Sequence, residues 1–122
     1  MSRNAEDLIV WQKGRLFVKT IYEITALFPS SELYGLVSQM RRAAVSIPTN
    51  LAEGCARTST KEFVHFVSIA YGSAMELKTL LMLSSDLSFI ELLNVQSKLG
   101  DLEEIIRMLG KLRHSLKEKI AG

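Results

Sequence analysis

Apolar residues recur at helical spacing along nearly the whole of this chain, and that periodicity constrains the fold more than any other feature. Val10, Phe17, Ile21, Ile24 and Phe28 fall at a/d intervals, with Gly14 filling the gap between the first two. Leu33, Val37, Met40, Ala44, Ile47 and Leu51 form a second stripe, and Phe63, Phe66, Val67, Ala70, Ala74, Leu77 and Leu81 a third. Leu92, Val95, Leu99, Leu102, Ile106, Leu109, Leu116 and Ile120 make a fourth. No Asn-Gly or Asp-Gly pair signals a hairpin, and no stretch keeps period two for long. Four stripes predict four helices.

The punctuation between the stripes agrees. Phe28-Pro29-Ser30-Ser31 ends the first helix, because the residue before a proline is pushed away from the right-handed helical region. Ser59-Thr60-Lys61-Glu62 has capping-box spacing, and Ser88-Phe89-Ile90-Glu91 repeats it before the fourth stripe. Helices are therefore expected at 5–28, 31–56, 60–86 and 89–119. The last three run to roughly 40 Å each. Short connections between long helices make neighbours antiparallel, so the predicted architecture is an all-α, up-down-up-down four-helix bundle. Pro48 falls inside the second helix, where it lacks a donor and presses on the carbonyl of Ala44; a kink is expected there.

Size and composition set further bounds. The 122 residues, 48% hydrophobic and 23% charged, suit one globular domain spanning 1–122. A lone cysteine, Cys55, excludes an intramolecular disulfide framework and fits a reducing compartment. The start, Met1 to Asp7, is polar and partly acidic, so no secretory leader is expected. Nor does any apolar run approach the ~20 residues of a membrane span. A cytoplasmic protein without a membrane partner is the expectation. The net charge of +2 is too small to announce a nucleic-acid binder.

The third helix carries more apolar surface than one stripe requires. Val64, Tyr71, Met75 and Met82 lie on a neighbouring face, and Ile69, Leu80 and Leu83 form a further row. Either the helix is packed centrally, or the extra face is buried against another subunit.

Signals for catalysis are weak. Glu62-Phe63-Val64-His65 matches half of a di-iron motif, but the second histidine, His114, has Lys111 three residues before it. Glu62 also has a sufficient role at its helix cap. Cys55 has Arg57 nearby but no histidine close in sequence. No Gly-rich phosphate loop, zinc-ligand cluster or hydrolase elbow occurs. No catalytic residue, metal site or cofactor is therefore assigned, and the chain is not expected to be an enzyme.

One run of residues is distinctive. Asp7-Leu8-Ile9-Val10-Trp11-Gln12-Lys13 and Phe28-Pro29 are followed by Gln39-Met40-Arg41-Arg42-Ala43, then Ser46-Ile47-Pro48-Thr49-Asn50-Leu51-Ala52-Glu53-Gly54 and Arg57. The third helix adds Lys61-Glu62-Phe63, Ala70-Tyr71-Gly72-Ser73 and Glu76. Over residues 7–90 this closely resembles the bacterial four-helix-bundle family of 23S ribosomal RNA intervening-sequence proteins; the fourth helix matches in length and pattern alone. The resemblance implies a cytoplasmic, ring-like homopentamer. Family members are often encoded within insertions in ribosomal RNA genes, and a related branch contains the accessory proteins of diversity-generating retroelements, basic pentamers that work with a reverse transcriptase and RNA. It thus implies RNA, or a reverse-transcriptase or other ribonucleoprotein complex, as the partner.

Two groups of charged residues stand out beside that resemblance. Glu53 and Arg57 are spaced for an i,i+4 helix pair. Arg41, Arg42 and Glu76 border apolar rows, where a charge must be paired, so Glu76 is expected to meet Arg42. These five residues form the expected polar clasp, fixing helix register or a subunit interface. The second group is the tail. Residues 107–122 hold Arg107, Lys111, Arg113, Lys117 and Lys119 against Glu118 alone, five cations to one acid and hence +4. Such a surface, repeated by each subunit, suits phosphate contacts without sequence readout. The expected function is a non-enzymatic oligomeric module binding RNA or a ribonucleoprotein through basic surfaces. The alternative is a homopentameric protein-interaction scaffold that binds no nucleic acid.

Overall fold

A computed structural model describes residues 4–122. Four α-helices account for most of them: α1 Ile9–Thr25, α2 Ser38–Cys55, α3 Thr60–Asp86 and α4 Leu92–Ala121. Each predicted stripe supplies a buried face. Val10, Phe17 and Ile21 of α1 close on Met40, Ala44, Ile47 and Leu51 of α2, Val67, Ala74, Leu77 and Leu81 of α3, and Leu102 and Leu109 of α4. α3 packs on both α2 and α4, α1 packs mainly on α2, and a lighter α1–α4 contact completes the bundle. Glu104 reaches Lys13 of α1 at 3.0 Å and its neighbour Glu103 reaches Lys78 of α3 at 3.9 Å, so α4 is tied on both flanks by half-exposed ion pairs.

Central packing accounts for part of the apolar character of α3. Among the described residues it is the one helix whose length and composition match those of a membrane span, although Glu76 and Lys78 interrupt its apolar runs. Its Phe63, Val67, Ala70, Ala74, Leu77 and Leu81 face the core, and Leu80, assigned from sequence to an outer row, is buried with them. Ile69, Met75, Met82 and Leu83 remain exposed.

The helix ends correct two expectations. The second helix does not begin at residue 31: a 3₁₀ turn at Ser30–Glu32 leads into a π turn at Leu33–Val37, broken at Gly35 (φ −111°, ψ −111°). Non-helical backbone angles lie at Gly35, whereas α2 stays helical through Pro48, and a kink there is not confirmed. There the Thr49 hydroxyl donates to the Val45 carbonyl at 2.8 Å, and the Asn50 amide donates to the Ser46 carbonyl at 2.8 Å. These side chains supply donors to the turn that the proline ring crowds. The second correction is at Ser88, which is no N-cap. It has φ 63° and sits just past α3, where Ser88 N–H bonds Ser85 C=O and Phe89 N–H bonds Ser84 C=O, each at 2.9 Å. That is a Schellman ending, with serine in the position glycine usually takes. Glu91 precedes α4 instead, without a side-chain cap bond. Ser59, by contrast, caps α3 as expected, its hydroxyl accepting from the Glu62 N–H at 3.1 Å.

Register within α4 also differs. Ile105 is buried and Ile106 half-buried, while Leu92 and Ile120 at the two ends are exposed.

Candidate functional site

The expected clasp is divided by the fold into separate arrangements. Arg41 turns toward α1: its Nε donates to Thr25 Oγ1 at 2.9 Å, and its guanidinium carbon stands 4.4 Å from the Tyr22 ring centroid. Thr25 is buried and its own hydroxyl donates to the Ile21 carbonyl at 2.7 Å, so the threonine relays Arg41 onto the α1 backbone. Arg57 pairs with Glu53 at 3.1 Å, the i,i+4 bond expected, and lies 4.8 Å from the Phe66 ring centroid. Glu76 and Arg42 are both exposed, and no ion pair joins them within the chain. The reason is rotational. Residue 76 falls on the side of α3 away from its buried Ala74, Leu77 and Leu81, on the outer face of the chain, so within one subunit it does not reach Arg42.

A different clasp joins α2 to α3. The Ser46 and Ser73 hydroxyls are 2.7 Å apart, and the Asn50 amide donates to Ser46 Oγ at 2.8 Å. Small side chains surround it along both helices, with Ala43, Ala44, Ala70 and Ala74 all buried. Further along, a Cβ on Gly54 would lie 2.7 Å from Phe63 Cδ1 and 3.1 Å from Phe66 Cβ. The two helices thus approach closely over their shared length.

The basic tail is spread around α4. Arg107, Lys111, Lys117 and Lys119 are exposed, with Arg107 and Lys111 one turn apart. Arg113 is half-buried, its guanidinium carbon 4.2 Å from the Tyr71 ring centroid on α3, so it packs as well as carrying charge. Glu118 accepts from His114 at 3.1 Å. The half-motif at Glu62 and His65 leads elsewhere: His65 sits edge-on to Phe66, with ring centroids 5.2 Å apart, and Glu62 occupies the first turn of α3. Among the described residues no three His, Cys, Asp or Glu side chains converge as metal ligands, and Cys55 is buried.

Two grooves on the α1/α2 face were not anticipated. The larger, about 650 Å³, is walled by Tyr22, Tyr34, Arg41 and Arg42; the smaller, about 370 Å³, by Trp11, Arg15 and Pro48. Val45 and Thr49 line both, which makes them one continuous face. Tyr34, in the π turn, is 94% exposed. Exposed residues leave no periodic trace in a sequence, and only the alignment of α1 with α2 brings these together.

The family model for the 23S rRNA-intervening sequence protein matches residues 6–111. The chain belongs to that family. The fold has a solved counterpart in a Bacteroides thetaiotaomicron VPI-5482 protein of unknown function from the S23 ribosomal protein family. That crystal structure superposes with a TM-score of 0.80 at 23% identity, over 87% of this chain and 96% of the other. No curated protein matches the chain. Membership in the 23S rRNA-intervening sequence protein family extends the resemblance through most of α4, which sequence reading had matched in length and pattern alone. The family match includes every clasp residue, the α1/α2 grooves, Arg107 and Lys111, and ends before Arg113, Lys117 and Lys119.

Proposed function

We propose that this protein is a non-enzymatic oligomeric module of the cytoplasm that binds RNA, or a complex containing RNA, mainly through phosphate contacts. The observation that carries this reading is the exposure of Arg107, Lys111, Lys117 and Lys119 on α4, where Glu118, the one acid of that stretch, is already engaged by His114. Cations near a helix C-terminus complement its dipole, and a homo-oligomer repeats the same group of cations in every subunit. The family name, which refers to insertions in 23S rRNA, points to the same class of partner.

Assembly is supported by the outer face of α3. Ile69, Met75, Met82 and Leu83 are exposed there around Gly72 and Glu76, apolar area that a second subunit would cover. A ring-like homopentamer is the assembly we propose. Light scattering should then give a mass near five times 13.7 kDa; a mass of 13.7 kDa overturns it.

The RNA reading is tested by replacing Arg107, Lys111, Lys117 and Lys119 with Gln. Affinity for single-stranded RNA should fall about equally across sequences, and the salt slope should flatten by roughly 0.7 per lost contact. Arg113 is left in place because it packs on Tyr71. An oligomer that binds no RNA at low salt favours the second reading, a protein-interaction scaffold built on the same α3 face.

A further inference from the structure

We infer that single-stranded RNA lies along the α1/α2 face, with bases stacked on Tyr34 and Trp11 and phosphates held by Arg42 and Arg15. This rests on the RNA-binding reading above and deepens it, assigning base contacts to a surface the α4 tail does not include.

Charge is the first support. Arg15, Arg41 and Arg42 line the joined grooves, and no Asp or Glu lines either one among the described residues. Three acids adjoin lining residues in sequence, Glu23, Glu32 and Glu53; Glu32 Oε1 accepts from the Leu36 N–H at 3.4 Å and Glu53 is paired with Arg57 at 3.1 Å. An anion in the grooves therefore meets arginines with no carboxylate in the walls, Arg41 being already held by Thr25.

The aromatic residues decide what kind of anion. Tyr34 buries almost nothing, so its exposure costs the fold apolar burial that a stacked base would restore. The break at Gly35 follows directly on Tyr34, and it interrupts the helix just where this ring is presented. Two of the arginines already lie against aromatic rings, Arg41 at 4.4 Å from the Tyr22 centroid and Arg15 at 5.6 Å from that of Trp11. Guanidinium planes held in this way offer a further flat surface to a base. Thr49, Ser38 and Ser46 add hydroxyls along the floor. On α2 the lined stretch from Ser38 to Ala52 is about 21 Å long at 1.5 Å per residue. Duplex bases are stacked inside the helix and would leave the rings unused.

The test uses the intact protein, a fluorescein-labelled 15-nucleotide oligouridylate and a 15-base-pair RNA duplex. Trp11 is the one tryptophan, so its fluorescence reports on the face directly. The wild type should prefer the single strand, and oligouridylate should quench Trp11. Tyr34→Ala should weaken oligouridylate binding about 5- to 150-fold. Arg42→Gln should reduce the salt slope by about 0.7. Both replaced side chains are exposed, and light scattering should show an unchanged mass. RNA binding without Trp11 quenching, or with wild-type affinity in both variants, overturns this inference and leaves the RNA-binding reading intact. A changed mass in either variant also overturns it, by placing the face between subunits. Absence of RNA binding by the wild type overturns the RNA-binding reading itself.

Discussion

Gly54 shows how one missing methyl group holds α2 against α3. A Cβ there would sit 2.7 Å from the Phe63 ring, closer than packed atoms tolerate. Gly54→Ala gains up to about 1 kcal/mol of helix propensity but must displace Phe63 or separate the helices, an overpacking cost of about 1–3 kcal/mol. We expect a net loss of about 1 kcal/mol or more in denaturant unfolding. Ser88 gives the opposite sign. Its φ of 63° is costly for any residue with a Cβ, and its N–H and that of Phe89 close the end of α3 by backbone bonds that glycine makes equally well. Ser88→Gly should raise stability by about 0.5–1 kcal/mol, read as a higher Tm. The sequence misled at this position because serine is a favoured N-cap, and a glutamate three residues on completes the pattern. What it lacked was the backbone angle.

At the scale of helices, the buried stripes were legible because burial repeats with the helix. Val10, Phe17 and Ile21, or Phe63, Val67, Ala70 and Ala74, needed no knowledge of partners to be read as core. What a helix does at its edges depends on its neighbours, and there the reading failed. Ile105 and Ile106 are equally apolar, and only the rotation of α4 against α1 and α3 selects the first. Glu76 was expected to meet Arg42, yet within the chain it lies on the outer face of α3, while Ser46, Ser73 and Asn50 form the bond between α2 and α3. Ser46 and Ser73 are 27 positions apart, and nothing local marks them as partners. Alanine at either serine should cost about 1 kcal/mol, and the double variant less than the sum, with a coupling of at least 0.5 kcal/mol in a double-mutant cycle. Additive effects would show that the hydroxyl pair contributes nothing to the packing.

The whole molecule combines a core closed by four helices with two outer features that one chain leaves uncovered: the apolar row of α3 and the arginine–aromatic face of α1 and α2. In the function proposed above, the first is the surface for assembly and the second, with the α4 cations, the surface for RNA. None of these surfaces requires a net charge far from zero, which is why a total of +2 gave so little warning. Glu103 and Glu104 are paired one-to-one with Lys78 and Lys13, away from the arginine–aromatic face of α1 and α2. The most direct measurement is the affinity of the intact protein for a single-stranded RNA oligonucleotide across a series of salt concentrations. Three or more neutralised phosphates predict that log K falls against log salt with a slope of about −2 or steeper. A slope near zero, or no saturable binding at low salt, would contradict the account.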